Sequence, residues 1–190
     1  IVTIQPDSLR ILHNPLTGWV LYASMGVDAA DFWAQYDHMY IPELGHNVSV
    51  TDYAHTLYIR ASWTDFNPQE DVYGWKIDSN LRAYIEGAYQ RNMRLAFRVV
   101  VDSRDKRTEF TPQFVKDAGA KGFMNKGKWS PYSDDSVFQK YYTKFVKALA
   151  KDFNDPSKVE FIDGFGLGKW GEYHTMIYSA GDDTPEKAVF

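Results

Sequence analysis

Three short apolar runs, each followed by an amphipathic helical pattern, lead to a fourth run at Val159, and this alternation restricts the chain more than any other feature. Gly18 to Ala23 (GWVLYA) is aromatic and β-branched between turn residues, the pattern of a first strand. Asp28 to Tyr40 then spaces Ala29, Phe32, Trp33, Tyr36 and Met39 or Tyr40 for a helix ending near Pro42. Thr56 to Trp63 (TLYIRASW) is the second strand, with Leu57, Ile59 and Ala61 on one face and Tyr58, Arg60 and Ser62 on the other. A polar loop containing Asn67, Pro68 and Gly74 precedes a helix from about Ser79 to Arg91, capped by Asp78 or Ser79, with Leu81, Ile85, Ala88 and Tyr89 inward.

Arg94 to Asp102 (RLAFRVVVD) is the third strand by its β-branched content. Leu95, Phe97, Val99 and Val101 share one face, and Ala96, Arg98 and Val100 the other. Ser103 to Asp134, with Pro112, Gly119, Gly122, Gly127, Trp129 and Pro131, predicts a long irregular span of the kind that belongs to a binding loop more often than to a connector. Ser136 to Phe153 repeats Phe138, Tyr141, Tyr142, Phe145, Val146, Leu149 and Phe153 at helical spacing, and Asn154, Asp155 and Pro156 stop it. The fourth run, Val159 to His174 (VEFIDGFGLGKWGEYH), has glycine at every second position from Gly164 to Gly168 and then Trp170, Glu172 and His174. It reads as a buried strand that carries a catalytic acid at its end.

Strands alternating with helices predict a parallel α/β sheet with right-handed crossovers. No linker divides the chain and no repeat exceeds the strand–helix unit, so residues 1–190 are expected to belong to one domain. An open doubly wound sheet buries both faces of its strands. A (β/α)8 barrel points one face into the lumen, where charged side chains sit near the C-terminal ends. Arg60, Arg98 and the glycine parity of the fourth strand favour the barrel. No glycine-rich phosphate loop follows any strand; GFGLGKWG lies within the fourth and leads into aromatic and acidic residues. Since a full barrel needs roughly 250 residues, the chain is expected to supply about strands one to four, with Asp183 to Glu186 opening a fourth helix or a loop. Half a barrel exposes two strand edges, so the remainder of the barrel or another copy of the chain is an expected partner.

Composition limits the function. The net charge is −4 with no long basic run, which argues against a nucleic-acid binder. Without cysteine the chain can build neither a disulfide framework nor a thiolate site. No apolar stretch approaches the roughly 20 residues of a membrane span. No signal-type segment opens the chain, but an initial Ile1 in place of Met is compatible with a removed leader, and the expected location is secreted, periplasmic or cell-surface. His13, His38, His46 and His55 are too scattered for a metal site, and no cofactor is expected. Aromatic residues make up 16% of the chain, enough to provide both core rings and platforms for sugar stacking.

The run YIRASWTDFNPQEDVYGWKID resembles the second-strand region of retaining (β/α)8-barrel glycoside hydrolases, where strand, tryptophan, proline-containing loop and glycine-aromatic-tryptophan turn precede the second helix. FIDGFGLGKWGEYH resembles the fourth-strand segment of the same clan, which ends in the acid/base glutamate. The similarity spans most of residues 14–174, and bacterial barrel families, β-galactosidase-like ones among them, share the glycine-lysine-tryptophan-glycine-glutamate ending. The resemblance implies that Glu172 is the general acid/base and Arg60 the arginine that orients the nucleophile. Many members place asparagine before the glutamate to bind the sugar 2-hydroxyl, whereas this chain has Gly171. The nucleophile would come from a seventh strand.

Retaining hydrolysis needs one protonated and one ionised carboxyl about 5 Å apart. Trp170 and Tyr173 flank Glu172 and offer the apolar surroundings that keep a carboxyl protonated. The candidate substrate-binding residues are Arg60, Trp63, Asp65, Asn67, Arg98, Asp102, Trp129, Trp170 and His174, with Arg104 as a further strand-end contact. Trp63 and Trp129 are candidate platforms, and His174 a ligand for a sugar hydroxyl or for the acid. Arg60 and Arg98 fit lumen ion pairs nearly as well as substrate contacts, and Trp75 fits the core. The expected function is hydrolysis of an oligo- or polysaccharide. The competing readings are a non-catalytic carbohydrate-binding or assembly barrel, and another sheet enzyme in which Glu172 is a general base.

Overall fold

The computed structural model describes residues 18–102, 108–125, 127–164, 166–173 and 177. In chain order its elements are strand β1 (Trp19–Tyr22), helix α1 (Ala29–Asp37), β2 (Met39–Ile41), β3 (His46–Val48), β4 (Ala54–Ser62), α2 (Trp63–Phe66), α3 (Gly74–Ile77), α4 (Ser79–Gln90), β5 (Arg94–Val100), α5 (Gln113–Asp117), β6 (Gly122–Asn125), β7 (Lys128–Pro131), α6 (Ser136–Phe153) and β8 (Val159–Ile162). Single 3-10 turns lie at Val50–Asp52 and Lys169–Gly171.

Four strands form one parallel sheet in the order β1-β4-β5-β8, which is their order along the chain. The protein is therefore a mixed α/β structure built on the four strands expected from the sequence. The β-branched centre of the sheet is its most regular part: β4 and β5 pair without interruption from Thr56 against Arg94 to Ser62 against Val100. Each long helix begins on an aspartate that satisfies an orphan amide. Asp28 accepts from the Ala30 N–H at 2.8 Å, Asp78 from Leu81 at 2.7 Å and Asp135 from Phe138 at 2.8 Å.

Leu57 and Ile59 of β4 and Leu95 and Phe97 of β5 are fully buried and share one apolar cluster with α1, α4 and α6. The Phe97 ring lies 4.8 Å from Phe153 of α6 and 5.9 Å from Phe66 of α2. Phe32 of α1 lies 4.9 Å from Tyr84 of α4, whose hydroxyl donates to the Ser24 carbonyl just after β1 at 2.8 Å. A parallel sheet wound in sequence order with crossovers of one hand puts all its helices on one side, whereas a doubly wound sheet covers both. The single cluster fits the first case. The opposite face carries Tyr58, Arg60 and Arg98 and leaves Tyr22 and Phe161 exposed, at 51% and 42%.

The structure corrects the sequence reading in four places. The first helix stops at Asp37, and Met39–Ile41 pairs antiparallel with His46–Val48 across a turn closed by Gly45 at φ 69°. The loop after β4 contains α2 and α3. The span 103–134, expected to be irregular, contains α5 and the β6–β7 hairpin, in which Phe123 faces Ser130 and Met124 faces Trp129 around a turn with Gly127 at φ 76°. Finally, β8 ends at Ile162, so the glycines that follow belong to a loop and not to strand alternation. No helix among the described residues is long and apolar enough to cross a membrane.

Candidate active site

Arg60 and Arg98 are register partners on β4 and β5, so alternation brings both guanidinium groups to the same uncovered face. Their carboxylate neighbour comes from β8 through an irregularity. Leu95 faces Val159, but the next pair is Ala96 with Phe161, which leaves Glu160 as an extra residue. The resulting change of parity turns Glu160, Phe161 and Asp163 toward the face occupied by the arginines. Glu160 Oε2 accepts from Arg94 at 2.6 Å and from the Thr56 hydroxyl at 3.3 Å, and the Phe161 ring lies 6.1 Å from Tyr58.

One layer toward the C-terminal ends, Asp163 Oδ2 accepts from Arg98 Nε at 2.6 Å and from the Tyr58 hydroxyl at 2.7 Å. Burial pushes the Tyr58 hydroxyl well above the ordinary tyrosine value, and its bond to Asp163 adds to that, so Tyr58 donates throughout the physiological range. Burial opposes the charge of Arg98, but the hydrogen bond to Asp163, together with the fields of Tyr58, Asp163 and, least, Glu172, outweighs it and raises the guanidinium above its usual value. Arg98 Nη1 also donates to Glu172 Oε1 at 3.3 Å. The Glu172 side chain is 39% exposed.

The loop that carries Glu172 is tied to the sheet by its backbone. Val101 N–H donates to the Gly166 carbonyl at 2.7 Å, Tyr173 N–H to Leu167 at 3.0 Å and Glu172 N–H to Lys169 at 3.1 Å. Only glycine fits at 166, because a Cβ there would press onto the Val99 carbonyl and the Tyr142 hydroxyl. Trp170 and Tyr173 both have left-handed backbones, at φ 60° and 63°. Each costs roughly 1–2 kcal/mol for a residue with a side chain, a concentration of strain found more often at functional sites than elsewhere. Gly171 has φ 70°, where a residue with a side chain is strained, and a Cβ there would lie 3.3 Å from Val100 Cγ2 and within contact of Arg98 Cδ.

Trp170 is 42% exposed, its carbonyl accepts from Arg60 Nη2, and the Lys169 ammonium lies 4.3 Å over its ring. Arg60, Arg98, Trp170 and Glu172 thus meet in one place. Other sequence candidates have structural positions. Trp63 is a core residue and not a platform: its ring is fully buried among Phe114, Phe138, Tyr142 and Phe145, and its Nε1–H has no hydrogen-bond acceptor. It opens α2 directly after β4, which swings the ring into the helix layer. Trp129 is likewise buried, packed over Gly122.

Asp65 forms a reciprocal cap with Ser62, accepting from its amide at 3.0 Å and its hydroxyl at 2.7 Å. Asn67, 3% exposed, closes its loop by donating to the Gln69 and Val72 carbonyls at 2.6 and 2.8 Å. Asp102, 5% exposed, accepts from the Ser130 hydroxyl at 3.2 Å and so fastens the β6–β7 hairpin to the end of β5. Trp75 is a core residue, as expected, with its Nε1–H on Asp152 at 2.8 Å. His174 and Arg104 lie outside the described residues.

Sequence reasoning missed Asp163. Its signal was available: like Asp102, it is a carboxylate that ends an apolar run, VEFID beside RVVVD. Among the described residues no group of three or more histidines, aspartates and glutamates is placed to hold a metal ion. No protein-family model matches the chain, and no curated protein matches it.

Proposed function

We propose that the chain supplies strands one to four of a (β/α)8 barrel belonging to a retaining glycoside hydrolase, with Glu172 as the general acid/base. The observation that carries this reading is the one-sided sheet. Four parallel strands in chain order have their helices packed on one face, while the other holds layered polar groups and ends in a carboxylate on a strained loop. Barrel enzymes place their chemistry at the C-terminal ends of the strands, and Glu172 follows the end of β8. In this reading the uncovered face is the lumen wall, with Glu160 and Arg94 in a lower layer and Tyr58, Arg98 and Asp163 in an upper one.

Asp163 Oδ2 accepts from both Tyr58 and Arg98, which favours a structural charge over a nucleophile. The nucleophilic carboxylate is then supplied from outside the chain, about 5 Å from Glu172 as double displacement requires. Glu172 protonates the leaving oxygen and, once the glycosyl-enzyme has formed, removes a proton from the attacking water. The exposed Trp170 ring borders the leaving-group side. The test is the configuration of the first product when the complete protein cleaves an aryl β-glycoside, followed by proton NMR. Retention is expected; an inverted first product would rule out double displacement.

A further inference from the structure

The two faces of the β6–β7 hairpin have different partners. Gly122 pairs with Pro131, Phe123 with Ser130 and Met124 with Trp129, so alternation puts Phe123 and Ser130 on one face and Trp129 on the other. Trp129 belongs to the main apolar cluster, and its backbone N–H donates to Glu109 Oε1 at 3.3 Å. The hairpin is thereby seated on the body of the protein. Its other face turns to the end of β5, where the Ser130 hydroxyl donates to Asp102. On this face Phe123 forms a second, separate buried cluster with Tyr132 and Ile177, and the Phe123 and Tyr132 rings lie 5.7 Å apart.

Ile177 comes from the chain beyond Glu172. Leu167 and Ile177 stand five residues before and five residues after the acid. Both line one small cavity together with Asp102, Phe123, Ser130 and Gly168. The chain therefore leaves the hairpin at Leu167 and is back against it at Ile177, with Glu172 midway. Tyr173 N–H donates to the Leu167 carbonyl at 3.0 Å, and Val101 N–H holds the Gly166 carbonyl at 2.7 Å, so the base of this excursion is narrow and tied to β5. Left-handed residues such as Trp170 and Tyr173 persist only where the surroundings over-determine them. Arg98 supplies one restraint from the sheet, and the hairpin supplies a second at both ends of the span.

We propose that Phe123 is a positioning residue for Glu172: by packing with Ile177 it clasps the return of the acid-bearing loop to the hairpin and so holds the carboxyl against Arg98. The clasp rests on this packing alone; its consequence for catalysis rests on the glycosidase reading. The competing account is a hairpin that only covers the end of the sheet, with Glu172 placed by Arg98 unaided.

Two measurements on the complete protein test the clasp. The first is amide hydrogen exchange over residues 167–173, which needs no substrate. In Phe123→Ala this segment should exchange about tenfold faster, while the β4 and β5 amides keep their protection. The second is the dependence of kcat/KM on the leaving group. Phe123→Ala should lose roughly ten- to a hundredfold on glycosides with poor leaving groups, the size expected of a misplaced catalytic group, and stay within about threefold on activated aryl glycosides. In a Glu172→Gln background Phe123→Ala should add no further loss on the poor leaving groups, because both changes act through one carboxyl. Phe123→Leu refills the cluster and should restore both readouts. Ile177→Ala empties the same cluster from the loop side and should reproduce both changes, which keeps the test decisive if Phe123→Ala does not fold. The proposal is overturned if Phe123→Ala and Ile177→Ala leave exchange over 167–173 unchanged, or if they slow both kinds of substrate equally, as a loss of folded enzyme would. Failure of the glycosidase reading registers separately, as undiminished turnover in Glu172→Gln with the exchange result intact.

Discussion

Arg98 donates to Glu172 across 3.3 Å, joining the middle of β5 to a loop 74 residues further along the chain. The same guanidinium is fixed by Asp163 at 2.6 Å, so the position of the Glu172 carboxyl depends on a strand pairing and not on the loop alone. A carboxylate placed in this way keeps its geometry while its side chain remains 39% exposed to solvent.

Replacing Arg98 with methionine should therefore act on stability and on the site together. Asp163, with a side chain 24% exposed, would lose its charged donor, and the loss should be about 1–3 kcal/mol in urea unfolding. Asp163→Asn, which keeps an acceptor for Tyr58, should cost less. Equal stability of Arg98→Met and the unaltered chain would mean that the Arg98–Asp163 pair is not holding the sheet face together.

The two tryptophans of opposite exposure should separate cleanly. Trp63→Ala empties a fully buried site and should cost about 3–5 kcal/mol. Trp170→Ala removes an exposed ring from a left-handed position and should change stability by no more than about 0.5 kcal/mol, while weakening sugar binding. Calorimetric melting and titration of the two variants measure both effects; a stability loss for Trp170→Ala matching that of Trp63→Ala would contradict the assignment of the one ring to the site and the other to the core.

Acid stability has a named contributor on the helix side. Arg91 donates from Nε to Asp37 at 2.8 Å, and this hydrogen bond, against the opposing effect of burial and with help from Thr51, holds the Asp37 carboxyl below its ordinary value of 3.8. Because the folded value is the lower one, the stabilisation is fully present above about pH 4 and is lost as pH falls through the folded value. Asp37→Asn should reduce stability at pH 7 by roughly 1 kcal/mol, a modest figure because the pair is partly exposed. Thermal melts should then show a smaller decline between pH 5 and pH 2 for the variant, in steps set by the lowered group. Parallel acid profiles would remove Asp37 from the account.

Much of the fold was legible because its main elements have strong periods. Helix α6 coincides with the predicted Ser136 to Phe153, and β4 and β5 fall where the alternating and β-branched runs placed them. The two hairpins were not legible. Met39–Ile41 continues a helical spacing, and Phe123 and Trp129 stand in short strands broken by glycine, so local pattern was too brief to separate strand from loop. In the site, Arg60, Arg98, Trp170 and Glu172 emerged from face parity and from the resemblance. Asp163 did not, because one extra residue in β8 changes which side chains share a face, and a bulge leaves no mark in the alternation of a four-residue strand. Trp63 was misplaced for a related reason: a residue that ends a strand in the sequence pattern begins a helix in the structure.

The account turns on Glu172 as the proton donor to the leaving group, and the dependence of rate on leaving group measures that directly. In the complete protein, kcat/KM of Glu172→Gln should fall by about a thousandfold for glycosides with poor leaving groups. For activated aryl glycosides, which depart with little protonation, it should remain within about tenfold of the unaltered enzyme. Equal rates for variant and unaltered enzyme on both substrate types would contradict the assignment.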